Sequence, residues 1–298
     1  MTHASFAIDR LPAIGIGTVP LGNLYQKVSD EDAYETLRVA WASGFRWFDT
    51  APVYGMGLAE RRLGRALREW PRDDFVLSSK VGRVLEKHAA PDPLLTPGGR
   101  SLFVTDGSLN PRFDFSEAGV DRSLSESLER LGVNHLDIVF VHDPEEYADQ
   151  VVAETIPYLQ ELRGAGTIGA IGVGMTRTDV LTDIVRRVPV DLVMIAGRYS
   201  LLDTGAADEL FATCLNLEVP VVVGGVFNSG ILAGGTVTFD YVTAPAEIVA
   251  RVQLIRENDQ RVHAISHEHS DQFLHAPLLR SQESIATVTR MIAPVDIT

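Results

Sequence analysis

The chain has 298 residues, of which 45% are hydrophobic and 22% charged, and its formal net charge is −14. These proportions are ordinary for a globular protein, and the length suits either two average domains or one large α/β barrel. The acidic balance argues against nucleic-acid binding, because such a chain would repel a phosphate backbone.

Cysteine usage and hydropathy indicate the cellular compartment of the protein. Cys214 is the only cysteine, so no disulfide can form within the chain, which suits a reducing cytosol. Its apolar surroundings favour a small buried hydrophobe over a nucleophile. The N-terminus lacks the pattern of a signal peptide, and the longest apolar run, residues 219–226, is too short to span a bilayer. We therefore expect a cytoplasmic protein without a membrane partner.

Hydrophobic patterns predict strands and helices in alternation. Ser29 followed by Asp32 is a capping-box pattern, and Gly44 ends that first helix. On the second helix, Glu60 and Glu69 are expected on the exposed face. Apolar runs without polar alternation are typical of buried parallel strands. The predicted strands are 14–17, 45–49, 75–80, 136–142, 168–174, 191–196 and 219–225, and the predicted helices are 29–44, 58–70, 116–131, 149–163, 178–187, 205–217 and 245–262.

The alternation continues without a linker, so we expect one domain over residues 1–298. Seven or eight strand–helix units fit a (β/α)8 TIM barrel better than a doubly wound sheet with a second domain. Residues 284–291 are the best candidate for the eighth strand, and too few residues follow for a last helix. The C-terminal unit is therefore predicted to be incomplete or irregular. Residues 84–115, rich in Pro, Gly and Ser, predict a long irregular loop, which in a compact domain is usually functional.

Four titratable residues stand at or just beyond the ends of three neighbouring strands. Asp49 ends the second strand, Tyr54 follows five residues later, Lys80 ends the third strand and His142 ends the fourth. In α/β barrels the active site lies at the carboxyl ends of the strands, so one rim is expected to carry all four. Each residue alone could be structural. The four together predict a site for proton transfer.

Tyr54 is the expected proton donor or acceptor of this site. A free tyrosine has a pKa of about 10, and a nearby Lys80 cation would lower it. Asp49 would pair with Lys80, and His142 would position or relay the proton. None of these side chains can accept hydride, so the chemistry points to a nicotinamide cofactor.

Several segments resemble the aldo-keto reductase superfamily, namely GFRWFDTAPVYGMGLAERRLGRAL, the strand end SSK and DIVFVHDP. The resemblance covers the chain from about Ile14 to Val262 and implies the barrel fold. The catalytic tetrad of that superfamily falls on Asp49, Tyr54, Lys80 and His142.

Further segments, including AGRYSLLD and GGVFNSGIL, resemble the subgroup of D-threo-aldose (L-fucose) 1-dehydrogenases and pyridoxal 4-dehydrogenase. This implies oxidation of a cyclic hemiacetal to a lactone with NAD or NADP, NAD being favoured. Tyr54 would then remove the hydroxyl proton.

The resemblance also implies cofactor-binding residues at other strand ends. Where the superfamily usually has Ser-Asn after the fifth strand, the chain reads GVGMT at 172–176, and Ala196 replaces a usual Gln. The loop 224–230 follows the seventh strand, where barrels often bind phosphate. Arg280 and Arg290 are candidates for gripping the adenosine ribose or its phosphate. The other candidate cofactor residues are Gly17, Thr18, Thr176, Arg198, Tyr199, Gly224, Gly225, Phe227, Asn228, Ser229 and Gly230.

Alternatives stay open at this point. The chain could be a general aldehyde or ketone reductase. It could also be a poorly active cofactor-binding sensor, since its sequence after Val262 departs from the usual ending. The His-rich stretch 263–275 fits no zinc motif, so no metal is expected. The expected partner is a small molecule, a sugar or pyridoxal, and assembly into a homo-oligomer stays open.

Overall fold

The structure is a computed structural model that describes residues 8–87, 90–91, 101–234 and 237–265. Seven of its strands form one sheet in the order β1-β2-β3-β6-β7-β8-β9, and all neighbours in that sheet are parallel. The strands are β1 Ile16–Gly17, β2 Trp47–Asp49, β3 Val76–Val81, β4 Arg83–Lys87, β5 Leu109–Phe113, β6 Leu136–His142, β7 Ile168–Met175, β8 Leu192–Ala196, β9 Val221–Gly224, β10 Thr238–Phe239 and β11 Val242–Thr243.

Helices join successive strands of the sheet. Ser29 caps the first helix as predicted, because its Oγ accepts a hydrogen bond from Asp32 N at 3.0 Å. The C-cap of that helix is Ser43, and Gly44, with φ 89°, follows it. A π-helical turn, Val151–Thr155, joins the helix Ala148–Gln150 to the helix Ile156–Gly164. The helices are α1 Asp30–Ala42, α2 Leu58–Leu67, α3 Glu117–Leu131, α4 Ala148–Gln150, α5 Ile156–Gly164, α6 Thr178–Arg187, α7 Leu210–Asn216 and α8 Ala246–Ile265.

The sheet curls into a nearly closed barrel with an apolar layer on each of its faces. Trp47, Ile138 and Phe140 pack in the interior, whereas Phe48 and Val139 belong to the larger layer beneath the helices. Successive side chains of a strand point to opposite faces. The last interior positions of β2, β3 and β6 are therefore Asp49, Lys80 and His142.

This architecture confirms the predicted barrel class. The seven predicted strands are present, with bounds that differ by at most two residues from those expected. The predicted eighth strand, residues 284–291, and the irregular C-terminal unit lie outside the described residues. Within the described part of the chain, no helix combines the length and apolar content that crossing a bilayer requires.

The prediction of an irregular loop over residues 84–115 is wrong at both of its ends. β4 and β5 form an antiparallel hairpin in which Arg83 is opposite Phe113 and Lys87 is opposite Leu109. Pro111 lies within β5, and proline is tolerated in strands of this kind at a sheet edge. The Pro, Gly and Ser content obscured two short strands. This hairpin brings Arg83 to the barrel mouth.

The single cysteine behaves as predicted from its surroundings. Cys214 is buried in α7, and burial raises the pKa of its thiol to about 12. A thiol of this kind is inert, because only the thiolate is a good nucleophile.

Candidate active site

The four predicted acid–base residues meet at the carboxyl end of the barrel. In the sheet register, Asp49 is opposite Ser78, Lys80 is opposite Phe140 and His142 is opposite Gly174. These positions share the interior face with the core residue Phe140. The side chains of Asp49, Lys80 and His142 therefore enter the barrel from three adjacent strands.

A buried ion pair forms the base of the site. Lys80 Nζ donates to Asp49 Oδ2 at 2.5 Å and to the Thr50 carbonyl at 2.8 Å, and Lys80 is 2% exposed. Ser78 Oγ donates to the other Asp49 oxygen at 2.7 Å and accepts from Trp47 Nε1 at 3.0 Å. Burial opposes the Lys80 cation, but Asp49 and Tyr54 outweigh it and raise the pKa of Lys80 above its ordinary value. Lys80 is therefore charged at neutral pH.

Tyr54 lies in the turn that connects β2 to α2. Its position is fixed because the turn passes close to another backbone segment: a Cβ on Gly55 would lie 2.3 Å from the Gly22 carbonyl oxygen, and Gly55 has φ 66°. The Tyr54 ring centroid lies 5.0 Å from Lys80 Nζ and 6.1 Å from the His142 ring, which stands perpendicular to it. Tyr54 is therefore within reach of both partners predicted for it.

The pKa of Tyr54 departs from the sequence prediction in its net direction. Burial, the largest cause, raises the pKa of Tyr54, whereas the charge and hydrogen bond of Lys80 lower it in part. The predicted effect of Lys80 is present, but burial exceeds it because a low-dielectric site disfavours the phenolate. Tyr54 is therefore a protonated phenol at neutral pH.

His142 is buried and neutral. Burial, together with the positive charges of Arg83 and Lys80, lowers the pKa of His142 well below its ordinary value. Its Nε2 lies 3.5 Å from Asp143 Oδ2. Its Nδ1 has no hydrogen-bond partner among the described residues. The neutral imidazole therefore offers one N–H donor and one lone-pair acceptor.

Sequence reasoning missed a second charged pair beside His142. Arg83 is 2% exposed, donates from Nη2 to Asp143 Oδ2 at 2.8 Å and stacks on Phe113 with its guanidinium carbon 4.5 Å from the ring centroid. The position of Asp143 directly after His142 is a signal that could have identified it. Arg83 had no such signal, because its approach depends on the β4–β5 hairpin.

The other side of the barrel mouth carries small residues. Gly174 is opposite Met194 and Ala196 is opposite Gly224, so Gly174, Ala196 and Gly224 end β7, β8 and β9 on the interior face. A Cβ on Gly174 would touch Met194 and Phe140, and a Cβ on Gly224 would touch Met194 and Ala196, in each case at ordinary van der Waals distances. The mouth therefore combines a polar half and a half without bulky side chains.

Gly17 and Thr18 lie next to the ion pair. Gly17 is opposite Asp49 in the sheet, and the Thr18 N–H donates to the Asp49 carbonyl at 2.9 Å. Thr18 Oγ1 is buried and has no hydrogen-bond partner within the described residues. A buried hydroxyl of this kind suits a polar ligand group brought close to it.

Arg198 and Thr176 secure a hairpin over the rim. Arg198 donates to the Thr176 carbonyl at 3.2 Å and pairs with Asp240 at 2.9 Å. Asp240 and Tyr241 form the two-residue turn between β10 and β11, both with positive φ. The Tyr241 N–H donates to Ser229 Oγ at 3.0 Å. The Arg198 and Ser229 side chains therefore have structural partners at this rim.

The tip of this hairpin lies near the acid–base residues. Desolvation is the main cause that raises the pKa of Tyr241, and the nearby charges of Tyr54 and Asp143 raise this pKa further. The residue nevertheless exposes 41% of its surface, which fits a hydroxyl that points inward and a ring edge that faces solvent. Tyr241 was not predicted from the sequence, because the hairpin turn carries no glycine or asparagine.

The remaining cofactor candidates differ in their surroundings. Tyr199 is 2% exposed and packs edge-to-face on Phe211 at 4.7 Å, which favours a packing role. Asn228 is buried and donates to the Gly197 carbonyl at 3.1 Å, whereas Phe227 is 60% exposed. In the loop itself, Gly225 and Gly230 have φ of 62° and 95°.

The predicted phosphate contact of this loop is only partly available. The N–H groups of Asn228 and Gly230 donate to the Gly225 and Phe227 carbonyls. A phosphate role for the loop backbone therefore stays a prediction. Arg280 and Arg290 lie outside the described residues, as do the side chains of the His-rich stretch 263–275. The described residues contain no cluster of three or more side chains suited to a metal ion.

Known structures share the fold. A glycerol dehydrogenase from Gluconobacter oxydans matches with a TM-score of 0.67 at 20% identity, over 95% of this chain and 79% of that protein. At this identity the likeness concerns the fold alone.

Curated proteins give closer matches. The chain is 42% identical to a D-threo-aldose 1-dehydrogenase from a Pseudomonas species, over 75% of this chain and 68% of that protein. It is 39% identical to a pyridoxal 4-dehydrogenase from Microbacterium luteolum, over 89% of this chain and 79% of that protein. A family model described as "Aldo/keto reductase family" matches residues 13–273. The chain belongs to the aldo/keto reductase family of oxidoreductases.

Proposed function

We propose that this protein is an NAD(P)-dependent dehydrogenase that oxidises the cyclic hemiacetal of a small molecule, an aldose or pyridoxal, to a lactone. The observation that carries the proposal is the buried Lys80–Asp49 pair at 2.5 Å beside Tyr54, in a barrel mouth. Two relatives named for aldose and pyridoxal oxidation support the substrate class.

The residues around the mouth fit a nicotinamide cofactor. Gly174, Ala196 and Gly224 leave one half of the mouth without bulky side chains, and Thr18 Oγ1 is a buried hydroxyl without a partner among the described residues. Thr18, Thr176, Arg198 and the loop 224–230 would hold the cofactor. When bound, it supplies the hydride acceptor. We favour NAD, following the resemblance to the aldose and pyridoxal dehydrogenases.

The protein residues move and stabilise the proton. Tyr54, as phenolate, takes the proton of the anomeric hydroxyl, and the Lys80 cation stabilises that phenolate. Asp49 keeps Lys80 protonated and orients its ammonium group, because it accepts a hydrogen bond from Lys80 Nζ at 2.5 Å. His142, neutral at rest, donates a hydrogen bond to the reacting oxygen. Burial of these groups strengthens each of the interactions, because the effective dielectric is low.

The raised pKa of Tyr54 favours a second candidate, reduction of an aldehyde or ketone. A phenol that is protonated at neutral pH is ready to give its proton to a carbonyl oxygen. The same residues serve both directions. The alkaline oxidation and the neutral reduction therefore have to be measured on the same preparation.

The proposal is tested by absorbance of reduced nicotinamide with the purified full-length protein. NAD or NADP is offered with L-fucose, other D-threo-aldoses and pyridoxal at alkaline pH, and NADH or NADPH is offered with simple aldehydes at neutral pH. We expect reduced cofactor to form with at least one lactol. If no lactol is oxidised, the dehydrogenase proposal fails, and turnover of aldehydes alone would establish the reductase.

Tyr54→Phe tests the assignment of the acid–base residue. We expect turnover to fall by roughly 10²–10⁴-fold, with cofactor binding retained in a fluorescence titration. Tyr34→Phe is the matched control, because the Tyr34 hydroxyl donates to Glu69 on the surface at 2.6 Å and should not affect turnover. Retention of activity by Tyr54→Phe would remove Tyr54 from this role.

A further inference from the structure

A buried cation stands beside the site without a part in the proposed proton transfer. Arg83 begins β4, directly after the strand that carries Lys80, and is 2% exposed. Its guanidinium meets Asp143 at 2.8 Å and the Phe113 ring at 4.5 Å. Burying a guanidinium is costly unless it is paired. The fold therefore keeps Arg83 and Asp143 paired next to His142, although burying the two charges there has a desolvation cost.

Asp143 is held in one orientation. Its backbone is in the left-handed region with φ 48°, and its N–H donates to the Gly174 carbonyl at 2.8 Å. In this arrangement one carboxylate oxygen, Oδ2, lies 2.8 Å from Arg83 Nη2 and 3.5 Å from His142 Nε2. Asp143 thus links the buried cation to one particular nitrogen of the imidazole.

The two nitrogens of His142 have different surroundings. A neutral imidazole carries a single proton, on one nitrogen or the other. A proton on Nδ1 would be a buried donor without a partner among the described residues, and the Nε2 lone pair would then face the Asp143 carboxylate. A proton on Nε2 faces that carboxylate favourably and leaves only an unpaired acceptor at Nδ1. The second arrangement is the more stable one.

We propose that Arg83 and Asp143 are positioning residues that hold His142 as a neutral imidazole with its proton on Nε2. Arg83, together with Lys80, opposes a second proton by its positive charge, while Asp143 selects the nitrogen that carries the first one. The groups that face His142 are Lys80 from β3, Arg83 from β4, Tyr54 from the turn after β2 and Asp143 next to it.

The catalytic meaning of this arrangement rests on the proposed function, whereas the tautomer itself does not. At 3.5 Å the contact from His142 Nε2 to Asp143 is longer than an ordinary hydrogen bond, so the Nε2–H stays available to the reacting oxygen of a dehydrogenase or a reductase. A neutral ring of this kind does not compete with Tyr54 for the proton. Loss of Asp143 would free the ring to place its proton on Nδ1, and the donor would be lost.

Nuclear magnetic resonance of the ¹⁵N-histidine-labelled full-length protein tests the tautomer without any substrate. The His142 signals are assigned by their loss in His142→Gln. We expect Nε2–H in the natural protein and a shift toward Nδ1–H in Asp143→Asn. Arg83→Gln should raise the pKa of His142, and Arg83→Lys, which keeps the charge, should restore it in part.

Asp137→Asn is the matched control. Asp137 also accepts a hydrogen bond from an arginine, the partly buried Arg72, at 2.8 Å, but it lies at the opposite end of the same strand β6. This substitution should leave the His142 tautomer unchanged. A proton on Nδ1 in the natural protein, or the same tautomer in Asp143→Asn as in Asp137→Asn, would overturn the proposal.

Kinetics supply an independent outcome. Asp143→Asn is expected to lower kcat by roughly 10–100-fold, since a misplaced donor has an effect of this order, while Asp137→Asn should not. Equal kcat values for the two variants would contradict a positioning role. If no substrate is turned over at all, the proposed function fails, but the magnetic resonance result still decides the tautomer.

Discussion

Glu60 provides a stability prediction that is independent of the proposed activity. It lies in the first turn of α2 and is completely buried. Its Oε1 accepts from Ser79 Oγ at 2.8 Å and its Oε2 accepts from Arg130 Nε at 2.6 Å. The sequence prediction placed Glu60 on the exposed face of its helix and is wrong. This carboxylate joins α2, β3 and α3 next to the strand position of Lys80.

The structure sets the size of the effect that Glu60→Ala should have. The substitution leaves the Ser79 hydroxyl and the Arg130 guanidinium, whose side chain is 14% exposed, without their main acceptor. Removing one partner of a buried ion pair costs about 3–5 kcal/mol of the free energy of unfolding. For a chain of this length, that loss lowers Tm by roughly 5–8 °C. Arg130 keeps a bond to Ser127 Oγ at 3.2 Å, which favours the lower end of the range.

Thermal and urea unfolding, followed by tryptophan fluorescence and circular dichroism, measure this loss. Glu60→Gln keeps an acceptor and should cost about 1–2 kcal/mol. Glu35→Ala is the matched control, because Glu35 pairs with Arg38 at 2.7 Å with both side chains more than half exposed. A surface pair of this kind contributes less than about 1 kcal/mol. If Glu60→Ala and Glu35→Ala unfold within about 1 °C of each other, the reasoning about the buried pair is refuted.

Two further predictions concern Tyr54. Gly55→Ala would place a Cβ 2.3 Å from the Gly22 carbonyl oxygen at a backbone φ of 66°. Turnover should fall about 10²-fold, because Tyr54 would shift from its position. Gly164→Ala is the control and should leave turnover unchanged, because a Cβ there meets nothing within 4 Å. Because the pKa of Tyr54 is raised, its phenolate fraction grows about tenfold per pH unit below that pKa. The oxidation rate should therefore rise from pH 7 to pH 10 while the reduction rate stays level, and a flat oxidation profile would exclude Tyr54 as the base.

The barrel and the meeting of the four candidate residues could be predicted because each depends on a local pattern. Apolar runs marked the parallel strands, and Asp49, Lys80 and His142 stand where those runs end. Side chains at equivalent strand ends must meet at one rim of a parallel barrel. Tyr54 followed from its short distance along the chain to Asp49. Neither the strands nor the four residues required a contact between distant segments to be predicted.

The features that were missed depend on contacts between distant segments. Glu60 is buried because α3 brings Arg130 against it from 70 positions away in the chain. Arg83 is buried because β5 returns Phe113 over it, and two short strands with a proline gave little signal. The net pKa of Tyr54 was mistaken for the same reason. The effect of Lys80 was visible in the sequence, whereas the extent of burial was not.

Burial and charge act in opposite directions on Tyr54, and their balance bears on the direction of the reaction. Burial raises the pKa of Tyr54 and keeps it a protonated phenol at neutral pH, while Lys80 lowers that pKa in part and so favours the phenolate. Lys80 can do so only because Asp49 holds it charged despite its burial. Without Asp49, desolvation would favour a neutral amine, and Tyr54 could no longer act as a base. Under the proposed function, oxidation at high pH would therefore depend on the Lys80–Asp49 pair rather than on the tyrosine alone.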